Sequence, residues 1–434
     1  MLTLIVRDFA ANLRIWVGAL LVAAATAAVG TVVAAEIQTA VEIGGMPGLA
    51  LASVSGTVLL FGTVAAMIVL SSVTTLTVSL QQRAYALWQL IGIRPGHVRL
   101  VVTAQLVIVA VLGGIAGCLA AAPGLPALFR FVFADATGMP EIHPRFGVVA
   151  ALGVLAFVVT VVLTAGGRAA RRAAGTAPID LLRRPDTPDA GLGAGRWIAG
   201  LTSLALATLM ISTLPSDPEK LTTPLMALAP LTAGALAAFG PVYLAPLIRL
   251  WTALVPARVS GAWFLARHTT ADHLSRSTAA ISPLMVAVAL AGGLYAADGT
   301  ANTGPGLSAG TAVLLAGGPL LLSVLGAAVT VLMSGQLRSR ESALVRAAGA
   351  TTATVLGAAA AEAVIYAVTA TALGAIAVAV TAIAGGLAAG VVPSPGLAAT
   401  GTVAASGLLL MTVATVAPAA AALRRPVPRA LATE

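Results

Sequence analysis

Residues 52–79 read ASVSGTVLLFGTVAAMIVLSSVTTLTVS and contain no charged side chain. A helix that crosses a bilayer needs about 20 consecutive, mainly apolar residues, and this stretch is longer than that. The rest of the chain repeats the pattern, with long apolar blocks separated by short charged segments. The pattern predicts an all-α polytopic membrane protein.

The composition points to the same class of protein. Of the 434 residues, 59% are hydrophobic and 9% are charged, whereas a globular domain has about 45–50% apolar and about 25% charged residues. Gly113 and Gly117 stand at the spacing that lets membrane helices pack closely. The single cysteine, Cys118, lies in an apolar block, which excludes an intramolecular disulfide and a cysteine metal cluster. Because further apolar blocks follow the first one, we expect it to be a span and not a removable signal peptide.

The positions of the charges predict the topology. The ten predicted spans cover residues 15–35, 52–79, 100–122, 147–167, 197–213, 224–248, 277–297, 311–335, 353–389 and 397–422. With the N-terminus inside, all of the 24 basic residues except Arg130, Arg145 and Lys220 fall on the inner side. Cytoplasmic loops of membrane proteins are enriched in Lys and Arg. We therefore expect a multi-pass protein of the inner or plasma membrane of a bacterium, with both termini in the cytoplasm.

The formal net charge of +9 raises nucleic-acid binding as an alternative. The arginines, however, are spread over the inner segments and form no single stripe with aromatic residues, as a nucleic-acid interface would require. We predict no nucleic-acid partner.

Two charged segments form an internal repeat. Residues 81–93 read QQRAYALWQLIGI, and residues 338–350 read RSRESALVRAAGA. They align without a gap at an offset of 257, which places Arg83 on Arg340, Ala86 on Ala343, Leu87 on Leu344, Gly92 on Gly349 and Gln105 on Glu362. The alignment predicts two four-span units in parallel orientation with a two-span connector, a 4 + 2 + 4 arrangement over residues 1–185, 186–255 and 256–434.

The second copy carries a recognisable motif. It reads R-E-x-A-L-x-R-x-x-G-A between two spans. The apolar helix that follows has a Glu near its start. The matching residues are Arg340, Glu341, Ala343, Leu344, Arg346, Gly349, Ala350 and Glu362. With this motif the chain resembles the FtsX-like (MacB-type) permease family of ATP-binding cassette (ABC) transporters. The resemblance extends over both four-span units, although the first has Ala84 and Gln105 where the family often carries Glu.

The ten-span layout is similar to that of bacitracin-resistance-type permeases, with one departure. Those permeases carry a large extracellular domain after the seventh span, and macrolide and lipoprotein exporters carry one after the first. The corresponding loops here are predicted over only about 36–51 and 298–310. Neither loop is long enough to form such a domain.

The resemblance implies that residues 81–97 and 338–350 are coupling helices that contact a cytosolic ATPase. Each would be a short helix parallel to the membrane, with its leucines against lipid and its arginines towards the cytosol. The candidate residues are Arg83, Leu87, Trp88, Gly92, Arg340, Glu341, Leu344, Arg346 and Gly349. The alternative is an interfacial anchor whose arginines only set the topology. We expect Gly92 and Gly349 to end their helices, a common role of glycine.

Glu362 is the only ionisable residue that we place inside an apolar block, and Gln105 occupies the equivalent position of the first unit. An intramembrane carboxylate is costly and is by default a functional hypothesis. Three interpretations of Glu362 stay open: a structural hydrogen bond or ion pair to the coupling region, substrate or proton coupling, and placement at the membrane interface.

Catalytic chemistry is not expected in this chain. A phosphate-binding loop of the Gly-x-x-x-x-Gly-Lys-Ser/Thr type needs a lysine, and the only lysine, Lys220, lies in a predicted outer loop. We predict no catalytic residue, no metal ligands and no cofactor of its own. ATP and Mg²⁺ would be bound by a separate cytosolic ABC ATPase, in two copies because there are two coupling segments.

The function that the resemblance implies is that of a permease subunit which exports an amphipathic or hydrophobic compound such as an antibiotic, peptide or lipid. A second hypothesis is a non-transporting membrane scaffold that couples an ATPase to a sensor kinase or a cell-wall enzyme. A secondary transporter would require more polar intramembrane residues than Glu362.

Overall fold

The computed structural model describes residues 2–134, 144–175, 193–256, 260–301 and 307–423, with the side chains of 2–6, 334–342 and a few single positions left out. All regular elements in these ranges are helical. The helices are α1 (Leu2–Ala11), α2 (Leu13–Ile43), α3 (Gly45–Leu90), α4 (Pro95–Ala121), α5 (Leu125–Val132), α6 (Val148–Gly175), α7 (Ala194–Ser212), α8 (Pro218–Thr252), α9 (Gly261–Asp272), α10 (Leu274–Ala301), α11 (Ala309–Ala312), α12 (Gly318–Ala347), α13 (Thr352–Ala389) and α14 (Leu397–Leu423). A 3₁₀ turn, Ala122–Gly124, joins α4 to α5, and a π-helical turn, Val313–Gly317, joins α11 to α12.

Ten helical segments within the described ranges are long and apolar enough to cross a membrane. Each of the ten predicted spans lies in one of them to within two residues, and the predicted short fifth span is α7, of 19 residues. The protein is therefore a multi-pass, all-α membrane protein, as its sequence predicts.

The connection between the first two spans is much shorter than predicted. Residues 36–43 continue α2 and residues 45–51 belong to α3, so that only Gly44 separates the two helices. Gly44 has φ of +61°, in the left-handed region that glycine adopts without a steric penalty. The predicted loop over 36–51 is wrong because the helical hairpin closes on this glycine.

Close helix contacts surround two glycines that the repeat aligns. A Cβ atom added at Gly117 of α4 would lie 2.1 Å from the carbonyl oxygen of Ala24 in α2. One added at Gly374 of α13 would lie 3.0 Å from the carbonyl oxygen of Met285 in α10. Small residues that let two backbones approach are typical of membrane helix interfaces. The predicted packing role of Gly117 is confirmed.

The helix contacts follow a similar order in both halves of the chain. In the first half α4 packs between α2 and α6, and α2 also contacts α3. In the second half α13 packs between α10 and α14, and α10 also contacts α12. The halves meet where α3 lies against α12, while α8 contacts α3, α10 and α13. These pairings are compatible with the 4 + 2 + 4 repeat, which stays a prediction.

Candidate functional site

The two predicted coupling segments form the ends of long span helices. Residues 81–90 are the last turns of α3, and residues 338–347 are the last turns of α12. No glycine or proline interrupts α3 after Gly62, so nothing in the local sequence turns the chain towards the membrane plane. The prediction of short, separate helices parallel to the membrane is wrong for both segments.

Both helix ends are closed by the same hydrogen-bonded turn. In α3 the N–H of Gly92 donates to the Gln89 carbonyl oxygen at 3.1 Å, and the N–H of Ile93 donates to the Trp88 carbonyl oxygen at 3.0 Å. The corresponding bonds of α12 run from Gly349 N–H to Arg346 C=O at 3.0 Å and from Ala350 N–H to Val345 C=O at 3.1 Å. Gly92 has φ of +94° and Gly349 has φ of +100°. This is the Schellman arrangement, and it confirms that both glycines end their helices.

The end of α3 presents a mixed basic and apolar surface. Arg83 is exposed, and Leu87 is 58% exposed. Trp88 is half-buried and packs edge-on against Tyr85, with 5.5 Å between the ring centroids. On α12 the equivalent leucine, Leu344, is 54% exposed.

Arg340 and Glu341 lie in α12, but the structure does not describe their side chains. Their predicted contact with an ATPase stays a prediction.

Each helix end is also bonded to the last span of its own half. The Gln89 side-chain Nε2 donates to the carbonyl oxygens of Ala173 and Ala174, in the last turn of α6, at 3.5 and 3.4 Å. Arg346 donates through Nη1 to the carbonyl oxygen of Leu423, the last residue of α14, at 3.5 Å. Gln89 and Arg346 are aligned by the repeat. The sequence pattern did not single out Gln89, because a contact between two helix ends produces no signal in the local sequence of either helix.

Gln105 joins three helices in the interior. It is fully buried in α4 and donates through Nε2 to the Oδ2 atom of Asp8 in α1 at 2.7 Å. The Tyr85 hydroxyl of α3 lies 3.3 Å from the Gln105 Oε1 atom and also hydrogen-bonds Gln81. A hydrogen bond to a charged acceptor is stronger than one between neutral groups. The Asp8–Gln105 pair therefore ties the N-terminal helix to the third span.

Glu362 occupies the equivalent position of α13 and has a partner of opposite charge. Its Oε1 atom lies 3.7 Å from the Nη2 atom of Arg276 in α10, and the two side chains are only 8% and 6% exposed. Burial of two charges is tolerated when they are paired. Of the three interpretations of Glu362, a structural ion pair is the one with a described partner, although Arg276 belongs to the seventh span and not to the coupling segment.

A second carboxylate was missed. Glu36 was assigned to a loop, but α2 continues past it, and its side chain is fully buried. Glu362 is therefore not the only ionisable residue buried in a span. The run EIQTAVEI (residues 36–43) contains neither glycine nor proline, and this continuity was the available signal.

Comparison with known families identifies part of the chain. Residues 56–178 match the family described as FtsX-like permease C-terminal. This segment is therefore similar to FtsX-like permeases. The matched segment begins within α3, ends just after α6, and contains the helix end with Arg83 and Gly92 as well as Gln105. A search of the curated proteins finds no match for the chain. Membership of residues 256–434 in the same family stays a prediction.

Proposed function

We propose that the protein is the permease subunit of an ABC transporter, powered by separate cytosolic ATPase subunits, and that it exports an amphipathic or hydrophobic compound. The observation that carries the proposal is the similarity of residues 56–178 to FtsX-like permeases, and this matched range includes the exposed end of α3. FtsX-like permeases generally work with cytosolic ABC ATPases. The outward direction rests on the family resemblance alone.

The length of α3 supports a role of its end in docking the ATPase. Its 46 residues extend over roughly 69 Å, more than twice the roughly 30 Å of a bilayer's hydrocarbon core. The end with Arg83 and Leu87 would project from the membrane on the side that carries most arginines. A guanidinium beside an exposed leucine suits a protein partner, because protein interfaces combine an apolar core with a polar rim.

The continuity of α3 suggests how force would reach the spans. Because residues 81–90 extend the span helix without a break, a displacement of the docked end would tilt the whole helix. The hydrogen bonds of Gln89 would transmit the displacement to α6, and the hydrogen bond of Arg346 would transmit it to α14 in the second half. Since α3 lies against α12, two ATPase copies that close on each other would rock one half against the other.

A charge reversal at the docking end tests this function. We expect Arg83→Glu to lower the amount of ABC ATPase that co-purifies with the chain by at least about tenfold, since a reversed charge at a protein interface costs several kcal/mol. Arg130→Glu is the matched control, because Arg130 is an exposed arginine of α5, on the predicted outer side. Equal recovery of ATPase with both variants would refute the docking assignment. ATP hydrolysis by the purified chain alone would refute the subunit model.

The non-transporting scaffold is the second candidate. By resemblance, such proteins contact their partners through an outer domain. The connection between α2 and α3 is a single residue, Gly44, which leaves no such domain between the first two spans. We therefore prefer transport, and ATP-dependent accumulation of a compound in vesicles that contain chain and ATPase would be its direct test.

A further inference from the structure

The end of α3 carries large apolar side chains on the face that points away from the protein. Leu90 and Ile91 are 54% and 79% exposed, and Leu87 is exposed one turn before them, whereas Tyr85 on the opposite face is buried. Residues three and four positions apart lie on the same side of a helix. Leu87, Leu90 and Ile91 therefore form one continuous stripe, which the exposed Arg83 extends by a further turn.

This stripe lies beyond the part of α3 that suits a bilayer. Ile91 follows the last residue of the apolar stretch 52–79 by roughly 18 Å along the helix axis. The polar headgroup layer on each side of a bilayer is only about 5–8 Å thick. Lipid would therefore not cover Leu90 and Ile91. Contiguous apolar residues that face water are typical of a surface that binds another protein.

The end of α12 has the same backbone with smaller side chains. Leu344 is exposed, but the exposed Ala347 and Ala348 stand where the repeat has Leu90 and Ile91. The backbone angles of Ile91 are φ −84° and ψ 10°, and those of Ala348 are φ −78° and ψ 5°. At these positions the two helix ends differ in side-chain size and not in conformation.

We infer that the two helix ends bind the ATPase with unequal affinity, and that Leu90 and Ile91 make the α3 end the stronger site. The inference rests on the proposed function, in which one ATPase copy docks at each end. A helix that docks in a groove of its partner is held by apolar residues at i, i+3 and i+4. The complementary surface of the ATPase would be an apolar groove with acidic residues at one edge, opposite Arg83.

The size of the anchoring side chains sets the order of binding. Leu and Ile remove more apolar area from water than two alanines do, and the gain in free energy follows this area. The first ATPase copy therefore docks at α3. The α12 end is occupied only at a higher ATPase concentration, so that the chain passes through a state with a single ATPase copy.

The test is a titration of the full chain in lipid nanodiscs with the purified ABC ATPase that co-purifies with it. Mass photometry counts the chains that carry no, one or two ATPase copies, without nucleotide so that ATP does not join the copies. We expect the second copy to bind at least about tenfold more weakly than the first. This ratio is larger than the one that two identical, independent sites give by statistics alone.

Exchange of the side chains between the two ends is the decisive comparison. Leu90→Ala with Ile91→Ala should weaken binding of the first copy by at least about tenfold. Ala347→Leu with Ala348→Ile should strengthen binding of the second copy by a similar factor. The shared backbone conformation of Ile91 and Ala348 allows the exchange. A gain of affinity in the second variant cannot come from a chain that fails to fold.

A matched control changes two exposed apolar residues on the other side of the membrane. Val391 and Val392 are exposed just after α13, on the predicted outer side, and their joint replacement by alanine should leave both binding steps unchanged. Wild-type ends of equal affinity, or an exchange variant that binds like wild type, would overturn the inference alone. If no ABC ATPase binds the wild-type chain, the proposed function is wrong and the inference is wrong with it.

Discussion

Replacement of Gly117 by alanine tests the close approach of the α2 and α4 backbones. The added Cβ atom would lie 2.1 Å from the Ala24 carbonyl oxygen and 2.6 Å from the Ala27 Cβ atom. The first distance is roughly 1 Å short of van der Waals contact. Because a backbone oxygen cannot rotate away, α2 and α4 would have to separate. Overpacking of this kind costs about 1–3 kcal/mol, so we expect Gly117→Ala to lower the free energy of unfolding by that amount.

The assay is unfolding in mixed micelles by titration with sodium dodecyl sulfate, followed by tryptophan fluorescence. Gly167→Ala in α6 is the control, because nothing lies within 4 Å of its added Cβ atom, and alanine is the better helix former by about 1 kcal/mol. Gly374→Ala should fall between the two. Its added Cβ atom would lie 2.6 and 2.7 Å from the Val288 Cγ1 and Cβ atoms and 3.0 Å from the Met285 carbonyl oxygen, so the overlap with a backbone oxygen is smaller than at Gly117.

The order of stabilities is the decisive result. The reasoning requires Gly167→Ala to be at least as stable as wild type, Gly374→Ala to be less stable and Gly117→Ala to be the least stable. If Gly117→Ala unfolds at the same detergent fraction as wild type, α2 and α4 do not approach as closely as described. If all three variants lose stability equally, the loss reflects glycine in membrane helices generally and not these contacts.

Two further predictions concern the ion pair and a helix end. Glu362→Gln and Arg276→Met should each destabilise the protein by about 3–5 kcal/mol, because each removes one member of a buried ion pair. The double variant should recover much of the loss. Additive losses in the same unfolding titration would contradict the pairing. Gly92→Ala should lower the free energy of unfolding by about 1–2 kcal/mol, because alanine is strained at φ of +94°. Gly96→Ala is the control, since Gly96 has no positive φ and its added Cβ atom would meet open space. Equal stability of the two variants would contradict the left-handed turn at Gly92.

Local signals in the sequence account for the parts of the site that were predicted correctly. Gly92 and Gly349 end their helices because only glycine adopts a positive φ without strain, and this property depends on no distant residue. The direction of the helix ends was not predicted. A mixed basic and apolar segment suits an interfacial helix as well as the projecting end of a span. The helical backbone of α3 and α12 continues through both segments, so they are the ends of spans.

The membrane class and the ten spans follow from the sequence by itself, because lipid requires about 20 apolar residues per span and tolerates few charges. The partners of the buried polar groups were decided only by the tertiary structure. Spans that are apolar on all sides carry no stripe to show which face meets a neighbour. The contact of Gln105 with Asp8, the ion pair of Glu362 with Arg276 and the burial of Glu36 therefore became apparent only when the helices were packed together.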